Sequence, residues 1–487
     1  MTAYPRDGMH GRHRITTNVR EITPENVAKV VTESYGDHLI NKSEIQFLYN
    51  YYRGRQDICS KTRPVRENSA NNIVMANHAN EIVTFKTAYL LGEPISYISE
   101  GSDKGISENV NLLNRYMREE AKDSKDKELA DWMHICGVGV RMVLPNVNGE
   151  TPVSVYTLDP RTAYCIYSSG IDGRCMAGVI EQKDEEGKTY LSVYTDRFYC
   201  EVGDGELKGL ARTTMFEGGT IRPHIMRHVP MIEYSDNLAR MGAFETVIPL
   251  LNAINQLESA RTDGVQDFVN AYDVFQNCEI TEETYKQLSS GGQAINIKSG
   301  LAGLEAKVYR ITSELNQAGT QTAIDDMETK ILTICGMPSL GSGNTSTSDN
   351  VGAVIYRQGY FSAESRAKNT EKAWKRSEKE FLRIVFELCP ELKLSVSDVA
   401  TAFLRNNYSD LQSKTQVLCE LLNNDKVDPK FAYEASGLFE DSETAYKAGM
   451  AWYEKNMEEL EKQITDNPDS DEKQENKQDD TEEQNEE

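Results

Sequence analysis

The sequence predicts an α+β chain of several packed units, and three observations carry that expectation. Between Gly242 and Gly352 a long helical pattern leads out, crosses a short β-like insert, and a second helical pattern leads back. Residues 137–234 hold short runs rich in Val, Tyr, Ile and Thr, punctuated by Gly, Asp, Asn and Pro. From residue 353 onward only helical periodicity is found.

The elements follow in order. Residues 1–22 form a basic arm, with Arg6, Arg12, Arg14 and Arg20 against Asp7 alone. The arm is expected to be disordered, with a contact to a neighbouring subunit or to nucleic acid as the alternative. Thr23-Pro24-Glu25-Asn26 reads as a helix start, with Thr23 as cap and helices to Tyr52. Asn68–Leu91 reads as a helix with Ile73, Val74, Ala79, Ile82, Val83 and Ala88 inward, stopped by Gly92-Glu93-Pro94. A short strand, Ile95–Ile98, and a helical stretch, Ser107–Met133, come next.

Six strands are expected in the β-rich stretch: Arg141–Leu144, Val153–Tyr156, Tyr164–Tyr167, Ala177–Gln182, Tyr190–Tyr194 and Phe198–Val202. Asp184-Glu185-Glu186-Gly187 is a hairpin turn between two of them. In Gly242–Tyr272, Phe244, Val247, Ile248, Leu251, Ile254, Leu257, Val265, Phe268 and Tyr272 recur at helical spacing, over about eight turns. The insert spans Asp273–Thr312, and Ser313–Cys335 returns to Gly336-Met337-Pro338, where glycine ends a helix and proline cannot continue it. The next stretch, Ser339–Gly352, holds no aromatic residue, Lys or Arg. Ala353–Leu388 reads as one helix with Ile355, Phe361, Trp374, Phe381, Ile384, Val385 and Leu388 at core positions. Ser397–Lys455 reads as a helical bundle anchored by Leu411, Val417, Leu418, Leu421, Leu422, Phe431, Phe439 and Trp452. Asp466–Glu487 carries eleven acids, two lysines and no core residue, and is expected to be disordered.

Composition narrows the function. With 487 residues the chain is long enough for two to four domains. Its formal charge of −24 argues against a protein that grips nucleic acid through a basic surface. The nine cysteines include no CxxC pair, the nearest two being Cys165 and Cys175, and are expected to be reduced. No secretory leader is expected in Met1–Arg20, and no apolar run is long enough to span a membrane.

Catalytic motifs are wanting. There is no GxxxxGK[ST] and no GxSxG. Gly137-Val138-Gly139 reads as a strand entrance. His224 and His228 lack the glutamate of HExxH and read as loop histidines. Asp325, Asp326 and Glu328 suggest a metal-dependent nuclease only if they converge; the plainer reading is a solvated helix face. No enzymatic activity, cofactor or metal is expected.

Several stretches together resemble the portal proteins of tailed double-stranded DNA phages, in the group typical of siphophages. The resemblance covers Glu44–Glu443. It is carried by Tyr51–Ile58 (YYRGRQDI), Asn71–Tyr97, His228–Ala271 with Pro230–Tyr234, Gly242–Val247, Leu251, Asn255 and Ser259, and by Phe403–Gln416 and Leu438–Glu443. The sequence departs from the family at Asn252, where an acid is frequent, which argues against a ring of charge at that helix level.

The resemblance implies a phage portal fold with a mixed α/β wing, two-helix stem, small β-containing clip, tunnel loop, long helix and helical crown, assembled as a ring, usually of twelve subunits. On this chain it implies an arm at 1–22, wing at 23–241, stem helices at 242–272 and 313–337, and clip at 273–312. The tunnel loop falls at 338–352, the long wing/crown helix at 353–396, the crown at 397–456 and an acidic tail at 457–487. DNA contacts are expected from Ser342, Asn344, Thr345, Ser346, Thr347, Ser348 and Asn350, with Gly341 and Gly343 as hinges, and clip contacts from Tyr285, Lys286, Lys298 and Tyr309. The implied partners are further copies of the chain, double-stranded DNA, the large terminase, head-completion adaptors, and capsid and scaffolding proteins. The implied location is the portal vertex of the virion, reached after assembly in the host cytoplasm. The alternative is a ring-forming neck or tail protein without a packaging role.

Overall fold

A computed structural model describes residues 11–60, 71–100, 104–146, 149–213, 216–269, 272–279, 282, 286, 298–299, 305–311, 317–338, 359–405, 411–439 and 442–466. These residues form two compact units, one of residues up to 338 together with 359–403, the other of residues 404–466.

The first unit is built around a curled antiparallel sheet. Strands β3 (Val138–Pro145), β4 (Val153–Leu158), β5 (Ala163–Ser168), β6 (Cys175–Lys183), β7 (Thr189–Tyr194) and β8 (Phe198–Gly203) lie where the alternating patterns predict them. Short β9 (Glu206–Leu207) and β10 (Ile221–Pro223) extend the β8 edge, and β11 (Met231–Ser235) pairs with β3. Asp184 makes the β6–β7 turn by accepting from the backbone N–H of Glu186 and Lys188, and Gly187 adopts φ +82°. The far edge is closed by β1 (Thr16–Thr17), which pairs in parallel with β5.

That pairing corrects the expectation of a disordered arm from residue 11 onward. Ile15 and Ile22 are buried in the same cluster as Tyr164, Ile166 and Val193, and Arg12 is buried. An arginine read as a surface charge has buried carboxylate partners 32 and 233 residues away in the chain (Glu44 and Glu245), which no local pattern reveals. Residues 1–10 lie outside the described residues.

Helix α1 (Val27–Tyr52) covers the sheet with Val27, Val30 and Val31. It starts later than expected, because Thr23 and Asn26 close a turn: Asn26 N–H donates to Thr23 O and Thr23 N–H to the Asn26 side chain. Helix α2 (His78–Leu90) is shorter than the expected Asn68–Leu91; residues 71–77 are not helical, and Ile73 is 51% exposed. The stretch expected as one helix is two, α3 (Lys104–Glu119) and α4 (Lys122–Cys136), broken at Ala121, whose φ is +48°. Gly137 ends α4 at φ +85° and leads into β3.

Strand β2 (Ser96–Ser99) pairs with β16 (Val399–Ala402). Three further helices complete the unit: α5 (Ile248–Val269), α6 (Gln317–Cys335) and α7 (Tyr360–Leu388). Trp374, Phe381, Ile384 and Val385 of α7 are core residues as expected, but Phe361 is 71% exposed and Ile355 lies outside the described residues.

A charged network lies inside this core. Glu378 accepts from Tyr97 Oη (2.5 Å), Tyr234 Oη (2.7 Å) and Trp374 Nε1 (3.2 Å), and pairs with Lys122 (2.9 Å). Lys122 and Arg141 also pair with Asp126, so two cations meet two carboxylates. Burial pushes the Glu378 carboxyl up, but Lys122 and Arg141 outweigh it and hold it down to about 2. The network ties α4, β3, β11 and α7 into one block.

The second unit holds α8 (Leu411–Leu422), α9 (Pro429–Ser436) and α10 (Ser442–Asp466). Helix α10 runs ten residues past the expected end of the bundle at 456, into the stretch expected as tail. Leu418 is buried as expected, but Val417, Leu422, Phe431, Phe439 and Trp452 are exposed, Trp452 by 66%. Residues 467–487 lie outside the described residues.

Candidate functional site

The helix pair and its two connections are the candidate site. The outgoing path begins at Gly242, where an added Cβ would lie 2.3 Å from Ile135 O, so only glycine allows this approach to α4. Glu245 then accepts from Gly242 N–H (2.6 Å) and from Arg12 (2.5 Å), tying the N-terminal arm to the helix base. Phe244, Val247, Ile248, Leu251 and Ile254 are buried together with Ile324, Ile331 and Cys335. Contacts fix the helices as antiparallel: Arg261 bonds Gln321 at one end, and Cys335 Sγ reaches Ala243 O (3.6 Å) at the other.

A polar ladder on α5 holds a non-helical strap of residues 71–77. Asn255 accepts from Ala76 N–H (2.9 Å), Ser259 from Val74 N–H (3.0 Å) and Asp263 from Asn72 N–H (2.6 Å). Positions four apart on a helix thus meet alternate amides of an extended chain. Asn255 and Ser259, two of the residues that carry the family resemblance, are fully buried for this purpose. Asn252, the departure, accepts from Tyr51 Oη (2.8 Å) and donates to Asp57 (3.0 Å), so it locks the turn after α1. The Asn-rich segment after residue 70 was the one available signal, but its spacing was read as helical.

Beyond α5 the chain forms a ribbon. Strand β12 (Tyr272–Gln276) pairs with β15 (Lys307–Ile311), and β13 (Cys278–Glu279) with β14 (Lys298–Ser299), all antiparallel. Lys298 stands opposite Glu279, Tyr309 opposite Val274, and Lys286 is exposed; Tyr285 lies outside the described residues.

Helix α6 ends as its sequence predicts. Gly336 takes φ +67°, Met337 N–H reaches back to Leu332 O (2.8 Å) and Gly336 N–H to Thr333 O (3.2 Å). The chain is described again at Gly359, φ +82°, where an added Cβ would lie 3.8 Å from both Met337 O and Pro338 Cα. The two described ends of the intervening segment therefore meet. Gly341, Ser342, Gly343, Asn344, Thr345, Ser346, Thr347, Ser348 and Asn350 all lie outside the described residues.

The carboxylates on α6 do not gather. Asp325 accepts from Gln321 (2.6 Å), Asp326 pairs with Lys330 (2.6 Å), and Glu328 stands 3.8 Å from His78. Among the described residues no three His, Cys, Asp or Glu side chains could hold a metal ion, and no helix is long and apolar enough to cross a membrane. His224 bonds Thr195 O (3.1 Å) and His228 pairs with Glu387 (2.7 Å), so the two histidines have separate partners.

Sequence comparison settles the family. The family model for "Phage portal protein, SPP1 Gp6-like" matches residues 34–470. The chain belongs to the phage portal protein family. The ladder residues Asn255 and Ser259, the helix pair and the ribbon all lie within the matched span. No curated protein matches the sequence. Two solved structures are similar at low level. A chain of the "Neck of empty GTA particle computed with C6 symmetry" has 11% identity over 74% of this chain and 90% of that one, with TM-score 0.46. A chain of the "Neck of native GTA particle computed with C12 symmetry" has 10% identity over 74% and 89%, with TM-score 0.45. Scores this low carry no argument about this chain.

Proposed function

We propose that this portal-family chain forms the ring-shaped channel at one capsid vertex through which double-stranded DNA is packaged and later leaves. In this reading α5 and α6 are the stem, residues 273–312 the clip, residues 338–352 the tunnel loop, the first unit's sheet and helices the wing, and residues 397–456 the crown. The observation that carries it is the antiparallel helix pair with a ribbon at one end and, at the other, a segment whose two described ends meet. A segment anchored at one point can project from the body without disturbing the helices that bear it.

The chemistry of that segment suits passage. DNA sliding through a ring presents every register in turn, so base readout has no use there and only backbone contacts count. Hydroxyls and amides at Ser342, Asn344, Thr345, Ser346, Thr347, Ser348 and Asn350 offer neutral, weak contacts to phosphate. A ring of arginines would add a counterion-release contribution for each phosphate neutralised and would hold the DNA still. Gly341 and Gly343 allow the loop to change shape. The clip, with Tyr285, Lys286, Lys298 and Tyr309, would meet the large terminase first and head-completion adaptors afterwards; capsid and scaffolding proteins would surround the wing.

The test is the purified particle. Its mass and projection images should give a ring of about twelve chains with an open axial channel, whereas a monomer or a stacked tube sinks the reading in favour of a neck or tail protein. Within such a ring, replacing Asn344–Ser348 by lysines should slow DNA packaging; packaging at the unmodified rate would remove the loop from the proposal.

A further inference from the structure

The C-terminal helix α10 has an unusual distribution of charge. From Glu443 to Glu458 its charged residues are Glu443, Lys447, Glu454, Lys455 and Glu458. At ~100° per residue these occupy a sector of only ~120°, which leaves ~240° of the helix without charge. A surface helix that packs on one neighbour needs an apolar stripe of little more than ~100°.

Two faces lie within the uncharged arc. One is a stripe of large residues at alternating spacings of four and three: Tyr446, Met450, Tyr453 and Met457, continued in the sequence by Leu460 and Ile464. That is the repeat of a helix seam. Within the unit, α9 covers only its start. Tyr433 packs on Tyr446 with centroids 5.8 Å apart, and its Oη would lie 3.0 Å from a Cβ at Gly449. Beyond that turn Met450, Tyr453 and Met457 are exposed. The second face, ~140° around the helix, carries the small residues Ala445 and Ala448 beside Trp452, which is also exposed.

We propose that α10 docks on α10 of a second copy of this chain, head to tail: the Met450–Tyr453–Met457 stripe of one copy packs against the Ala445–Ala448–Trp452 face of the next. The inference rests on the ring reading above and adds the surface used. A two-fold pair needs one face per helix, whereas a closed ring of heterologous contacts needs two different faces on every copy. Large side chains on one face and small ones on the other give knobs and the holes to receive them. The charged sector is the part that stays in water. A seam this short is too weak to associate alone. Contacts elsewhere in a ring supply the high effective concentration it requires.

The test uses the full-length chain with exposed Cys59 and Cys419 changed to serine. The double variant M450C/A448C is treated with a short bismaleimide, and particle mass is measured in parallel. Covalent ladders of three or more chains are expected, at least tenfold more abundant than for the control M450C/K447C, whose second site lies in the charged sector. Dimers from M450C alone, with no longer ladder from the double variant, mean stripe-to-stripe pairing and overturn the proposal. A particle of ring mass without ladders also overturns it and leaves the portal reading standing. A particle with the mass of one chain overturns the portal reading itself.

Discussion

Trp374 and Trp452 sit in opposite environments. Trp374 is fully buried between Tyr234 and Phe403, and its indole N–H donates to Glu378. Trp452 is mostly exposed on a helix whose unit has Leu418 and Ala432 as its buried apolar side chains among the described residues. The first unit encloses even its charges, with four ionised groups satisfied inside the core, while the second leaves aromatic surface in water. The first can therefore hold its shape alone. The second has its stability tied to whatever covers it.

The largest expected effect strikes the buried network. Glu378→Ala leaves Lys122 and Arg141 with one carboxylate between them and strands two tyrosine hydroxyls. The expected cost is about 3–5 kcal/mol, read as the shift of the chemical unfolding midpoint; a loss under ~1 kcal/mol would mean the network is wet and the contrast between units is false.

Acid should act next, and on the first unit selectively. Burial lowers the His134 imidazole to about 4, against the pull of Asp236. The unfolded chain takes up this proton below about pH 6.5 and the folded chain refuses it until about 4, so stability falls as pH drops through that window. The gap corresponds to roughly 3 kcal/mol. Glu378 adds a second loss between 4.5 and about 2, because its folded pKa is depressed and its stabilisation exists only while it is ionised. His134→Gln should flatten the slope of stability between pH 6.5 and 4; an unchanged slope would assign the acid sensitivity elsewhere.

A smaller effect separates the strap from the body it lies on. Ser259→Ala removes one acceptor for Val74 N–H and should cost about 1–2 kcal/mol. Hydrogen exchange at Val74 should accelerate about tenfold while exchange at Leu251 stays as it was. Equal acceleration at both would show that strap and helix open as one. The smallest expected effect is Trp452→Ser, within about 0.5 kcal/mol in unassembled chain. A cost above ~2 kcal/mol would place Trp452 in a core and end the comparison.

Much of the framework was legible before any coordinates. The strands from β3 to β8 alternate because one face of each is buried, and α5 and α6 repeat at 3.6 residues because each buries one stripe. Gly336 announced the end of α6, since a left-handed residue there costs glycine nothing. The strap was missed because Ile73 and Val74 mimic a helical face, while the acceptors that hold the strand extended lie about 180 residues further on. The bundle anchors were misplaced for a related reason: Phe431 and Trp452 are spaced like core residues, and spacing states that a face must be covered without stating by what.

The sequence by itself determined element type, the helix–ribbon–helix path, the neutral chemistry of Ser339–Gly352 and the family, because period, turn residues and composition are local properties of a chain. Only the tertiary structure decided that Arg12 serves Glu245, that Glu378 gathers two cations and three donors, and that Asn255 and Ser259 hold a strap rather than face solvent. Those pairings join residues far apart in the chain, and their strength comes from exclusion of water, which exists only once the whole unit has closed.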